Sequence, residues 1–165
     1  TPDRAWLSEH LQQTTPAELG AGTWSRVDQI AWRAALLLWH DDLDVSHRLA
    51  QSIEGQGAGL RGDYCHAIMH RREPDYDNAK YWFRRLGTQP LWDSLARQAE
   101  QILTRESDPQ VRAWRDRLLA RGRWNPLAFV DLCAACAGDE TQPLALAARR
   151  IQLAEMWLLV AEFPG

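Results

Sequence analysis

The sequence predicts an all-α chain of antiparallel helical hairpins, stacked side by side as a short right-handed solenoid. Three observations predict it. Strand signals are nearly absent, because β-branched residues are few and no alternating apolar–polar run persists. Helical spacing is widespread: Val27, Ile30, Ala31, Ala34, Leu37 and Leu38 follow the 3- and 4-residue rhythm of one buried face. Breaks rich in Gly, Pro and Asp recur at 14–23, 41–43, 55–62, 73–75, 87–90, 106–109, 121–126 and 138–143. They leave segments of about 10–20 residues, the ordinary length of a globular helix.

Taken in order, these segments give about nine helices in a single domain over 1–165. A helix over 3–13 comes first, then hairpins over about 24–56, 61–87, 90–121 and 126–162. Thr23 or Ser25 caps the opening helix of the first hairpin. Asp108 caps a helix with Pro109 in its first turn, and Asn125 with Pro126 repeats that device. The last segment, LALAARRIQLAEMWLLV (144–160), is a long apolar helix that either closes the stack or offers its outer side to a homodimer.

The hairpins share a register. DLDVSHRLAQSI (42–53) laid over DYDNAKYWFRRL (75–86) places Asp42 on Asp75, Asp44 on Asp77, Leu49 on Trp82 and Ile53 on Leu86, an offset of 33. The same shift puts Ala34 on Ala67 and Leu36 on Met69; further steps reach Asp108 and Thr141. Repeats of 33 or 34 residues built as helix–turn–helix signal stacked hairpins. In 75–86, Tyr76, Ala79, Phe83 and Leu86 form one stripe that Trp82 widens, while Asp77, Lys80 and Arg84 lie on a polar face. Burying one such aromatic contributes about 1.5–3 kcal/mol.

PDYDNAKYWFRRLG, with its Asp-Tyr start, its Ala and its adjoining aromatics followed by basic residues, resembles the second helix of a tetratricopeptide-type hairpin, especially the Sel-one-like variety. GDYCHAIMHRREP resembles the first helix of the same unit. The resemblance is specific over 61–87, partial over 28–56 and architectural beyond 88. It implies a groove that binds a partner. RREP stands where such units carry a Gly-rich turn, and Arg84 and Arg85 stand where small residues often follow the aromatics. The run from HDDLDVSH to YWFRRLG also resembles a group of bacterial helical proteins without assigned activity.

Composition narrows the partners. A net charge of −3 argues against nucleic acid, which needs a dominant basic surface. The longest apolar runs, AALLLW and MWLLVA, are far too short to span a bilayer, so no membrane is expected. No export signal opens the chain, and an odd cysteine number, 3, suits a reducing compartment, so a cytoplasmic location is expected. The 9 tryptophans read first as bulky wedges between helices.

Histidine clustering is the sharpest chemical signal. His40, His47, His66 and His70 fall within one stretch of the two hairpins. His66 and His70 are one helical turn apart, and Asp63 precedes His66 by three residues, so all three are expected on one face. That spacing suits a divalent metal, and a mixed His/Asp site polarises water for hydrolysis. Polar packing and helix capping compete with this reading, and HAIMH lacks the glutamate of HExxH. A second set, Arg71, Arg72, Lys80, Arg84 and Arg85, suits an anionic ligand through bidentate hydrogen bonds, although Glu73, Asp75 and Asp77 lie among them. GQGAGLRG (55–62) follows no strand and reads as a loop. The lone Cys133/Cys136 pair reads as small packing residues.

Two functions follow. The first is a non-catalytic helical-repeat protein without cofactor that binds a peptide, protein or small anionic ligand through His66, His70, Arg71, Lys80 and Arg84. The alternative is a metal-dependent hydrolase holding a divalent ion such as zinc on His40, His47, Asp63, His66 and His70.

Overall fold

Side-chain caps divide the chain as its breaks suggest. The computed structural model describes residues 5–163, and among them lie nine α-helices, two short 3-10 turns and no strand. Helix α1 is Ala5–Gln13; the start of the helix expected over 3–13 lies outside the described residues. The others are α2 (Arg26–Trp39), α3 (Leu43–Ser52), α4 (Arg61–Arg72), α5 (Tyr76–Arg85), α6 (Leu91–Arg105), α7 (Pro109–Leu118), α8 (Pro126–Ala135) and α9 (Pro143–Ala161).

Ser25 caps α2, accepting from the Asp28 amide, and Asn125 caps α8, accepting from the Ala128 amide. Asp42, Asp75 and Asp108 cap α3, α5 and α7, accepting from the amides of Val45, Asn78 and Gln110. These three helices begin at 43, 76 and 109, and each is 10 residues long. Each cap satisfies an amide that the first turn leaves without a partner.

The pairs α2/α3, α4/α5, α6/α7 and α8/α9 all pack together, and α4 also packs on α2 and α3. Beyond α5, sequential neighbours still touch, but the more extensive packing is between helices distant in sequence. Helix α5 packs on α8, α6 packs mainly on α9, and α9 returns to α2. The last helix therefore folds back over the chain instead of extending a row.

Helix α4 is the central rod. Residues 62 to 71 are buried without interruption, so it has no solvent face. Its approach to α3 depends on Gly62, where a Cβ would stand 2.6 Å from Ile53 Cδ1. The loop before it turns at Gly57, whose φ of +82° favours glycine and whose absent Cβ leaves room for Val27. Across α5, Ala79, Trp82, Phe83 and Leu86 are buried, Tyr76 is half-buried, and Asp77 and Arg84 are exposed.

Candidate functional site: three histidines between two hairpins

His66 and His70 stand one turn apart on α4, and His47 meets them from α3. The ring centroids are 4.6 Å apart for His47–His66, 5.1 Å for His47–His70 and 4.8 Å for His66–His70. One nitrogen from each ring lies within 4.8 Å of the other two. Trp82 of α5 closes one side, stacked on His66 at 4.0 Å and 28°. Arg85 lies over the Trp82 ring and is held by Glu54 at 2.6 Å and by the Tyr81 hydroxyl at 3.0 Å.

His66 is the unusual member. It is 2% exposed, and both ring nitrogens are buried without a hydrogen-bond partner. Nearly all buried polar groups are paired, so an orphan imidazole needs a reason. Burial pushes its pKa down to about 3, with the neighbouring His70 and His47 adding to the effect. Burial also lowers His70, His47 lowers it further, and Asp75 opposes both. The two rings therefore stay neutral near pH 7, each with a lone pair to offer.

This donor set fits a divalent transition metal. Imidazole suits zinc, copper and nickel, and three ligands with one position open is a common zinc arrangement. With Zn–N bonds of 2.0–2.1 Å, tetrahedral nitrogens lie about 3.3 Å apart. Closing to that spacing requires the three rings to draw together, and His47 is the half-buried member.

The other expected ligands do not join. The Asp63 carboxylate, 1% exposed, accepts from the Gly55 amide at 3.0 Å and so fixes the loop ahead of α4. His40 ends α2, where its backbone amide donates to the carbonyls of Leu36 and Leu37. The Gly55 amide has first claim on the Asp63 carboxylate, which spacing along the chain does not reveal, and the His40 ring is not among the three that come together.

The expected cationic set is also dispersed. Arg71 is buried and pairs with Glu155 of α9 at 2.5 Å, with its guanidinium 4.4 Å from the Phe129 ring centroid. Tyr64 donates to the same Glu155 at 3.0 Å and accepts from Trp92 Nε1 at 2.9 Å. Lys80 pairs with Asp131 of α8 at 2.6 Å, and Arg84 is exposed on α5. Of the five residues expected to bind an anion, only His66 and His70 come together.

Sequence reasoning did not assign Trp82, Asp75 and Asn78 to the site. Asp75 Oδ2 is 3.5 Å from His70 Nδ1, and Asn78 Nδ2 is 3.1 Å from His70 Nε2. The signal was present in DYDN, a capping aspartate with a polar residue three positions on, immediately after the helix carrying the histidines. Comparison with known proteins finds no matching family model, no similar curated protein and no similar solved structure.

Proposed function

We propose that this chain binds one divalent transition-metal ion, zinc in the first instance, on His47, His66 and His70. The carrying observation is the buried His66 ring with two unpartnered nitrogens at the centre of the cluster. A metal held by three imidazoles with a fourth position open supplies a Lewis acid that can polarise a bound water. The protein's own part is to hold two rings rigidly on α4 and to bring the third from the neighbouring hairpin. The ion bridges α3 to α4 and fastens the first hairpin to the second. Equilibrium dialysis tests the reading: one zinc per chain in the native protein, and none in His66→Leu. Absence of stoichiometric zinc, copper or nickel overturns it.

A second reading concerns the rest of the molecule. The capped ten-residue helices at 43, 76 and 109 support a tetratricopeptide-type repeat scaffold. Trp39, Ile102, Leu153 and Trp157 line one apolar shelf on α2, α6 and α9, with Leu153 57% and Trp157 65% exposed. Leu146, Arg150, Leu153 and Trp157 follow a 4-3-4 spacing on α9, the seam of a helix that pairs with another helix. The partner in this reading is a second copy. Sedimentation velocity should give a dimer that Trp157→Glu dissociates, and a native monomer removes the idea.

A further inference from the structure

Arg71 is 3% exposed, and only its Nη2 is engaged, by Glu155 at 2.5 Å and Gln152 at 3.2 Å. Its Nε and Nη1 are buried without a hydrogen-bond partner. The guanidinium carbon stands 4.4 Å from the Phe129 ring centroid and 5.6 Å from that of Phe83. Aromatic rings stabilise the charge but are weak acceptors for its N–H groups. Arg71 lines a cleft of about 660 Å³ between the α4/α5 turn and the α8/α9 hairpin, together with Arg72 at the end of α4 and Arg149 of α9. Two members of the cationic set expected from the sequence thus share a site with an arginine that spacing did not group with them.

Two carboxylates also line the cleft, and each is paired: Asp41 with Arg72, and Glu140 with Arg149. The Glu140 and Arg149 side chains are 81% and 52% exposed, and a pair so open to water contributes little and yields to a better partner. Glu155 is fully buried and does not line the cleft. Three guanidiniums against two carboxylates leave the lining cationic, in a chain whose net charge is −3. We propose that this cleft binds a phosphate monoester, with the phosphate on Arg71, Arg72 and Arg149 and the organic group against Tyr76, Ala145 and Ala148. A phosphate presents three terminal oxygens, which arginines meet with paired, charge-assisted hydrogen bonds. The cleft has the size of a small-molecule site. The ligand takes Arg149 from Glu140 and supplies acceptors that Arg71 lacks. His47, His66 and His70 do not line the cleft, so the proposal stands apart from the metal reading.

The test is calorimetric titration of phenyl phosphate into protein dialysed free of metal, so that no ion on the histidines can hold the phosphate. The native chain should bind it saturably and more tightly than benzoate, which offers a smaller charge and fewer oxygens. Arg149→Gln, an exposed change that breaks no buried pair, should weaken binding about 10-fold. Glu140→Gln should tighten it about 2- to 5-fold, because Arg149 is no longer shared. Arg84→Gln removes the same charge from an exposed position outside the cleft and should leave the affinity unchanged. Proton–nitrogen NMR follows Arg71 without mutating it: its Nε–H signal should shift as phenyl phosphate is added. No saturable binding, benzoate binding as tightly, or an Arg71 signal that stays in place each overturn the proposal. So does an Arg149→Gln chain that binds like the native one, or an Arg84→Gln chain weakened as much as Arg149→Gln.

Discussion

Leu37 and Leu38 occupy, in the first hairpin, the positions that His70 and Arg71 occupy 33 residues later in the second. The frame around them is the same: an aspartate cap opens a ten-residue second helix in each. The contents differ because α4 is enclosed on all sides, with α2, α3 and α5 against it and Glu155 of α9 reaching its far end. A helix so enclosed would be expected to bury only apolar groups. Instead it buries Asp63, Tyr64, His66, His70 and Arg71. Four of these have partners: Gly55 for Asp63, Trp92 and Glu155 for Tyr64, Asn78 for His70, and Glu155 for Arg71. His66 has none. Arg71 keeps Nε and Nη1 unpartnered although its Nη2 meets Glu155, so His66 is the one of these five whose side chain has no hydrogen-bond partner at all.

The largest effect should come from breaking a buried pair that the first hairpin lacks. Glu155→Leu leaves the Arg71 charge without its carboxylate, and urea unfolding should show a loss of about 3–5 kcal/mol. A loss below about 1 kcal/mol would mean that the buried polar groups of α4 are not held as described.

Replacing the orphan should act in the other direction. His66→Leu removes a buried imidazole without partners, so the metal-free protein should gain about 1–2 kcal/mol in the same measurement. A clear loss would show that the ring is satisfied. The pH dependence sharpens this point. Folded His66 titrates at about 3, whereas the ordinary value is 6.5. Between these values the unfolded chain binds more protons, so stability is fullest above about pH 6.5 and falls as the pH drops toward about 3. One such group contributes a slope of up to about 1.4 kcal/mol per pH unit, and His66→Leu should flatten the acid limb by that amount.

The smallest effect tests the shared frame. Asp42→Ala and Asp75→Ala each remove one cap and should each cost about 1 kcal/mol. Markedly unequal costs would show that the two hairpins are not equivalent at their turns.

What the sequence made legible was local. Ser25, Asp108 and Asn125 cap where expected, because a cap depends on the next three residues alone. The meeting of His66 and His70 was legible from their spacing, and His47 lies on the neighbouring helix expected beside them. Long-range competition was not legible. Asp63 has the spacing of a ligand, yet an unsatisfied amide at Gly55 claims it. Arg71 and Glu155 are 84 residues apart, and no periodicity points from one to the other. The return of α9 to α2 and α6 also escapes any reading based on consecutive hairpins.

The most direct test of the proposed metal centre is the zinc K-edge absorption spectrum of the protein after incubation with zinc. Three imidazoles predict a nitrogen shell at about 2.0–2.1 Å with the outer scattering of imidazole rings. That signal should disappear in His66→Leu. A sulfur shell at about 2.3 Å would place the ion on Cys133 and Cys136 instead and would contradict the account, as would a native spectrum that His66→Leu leaves unchanged.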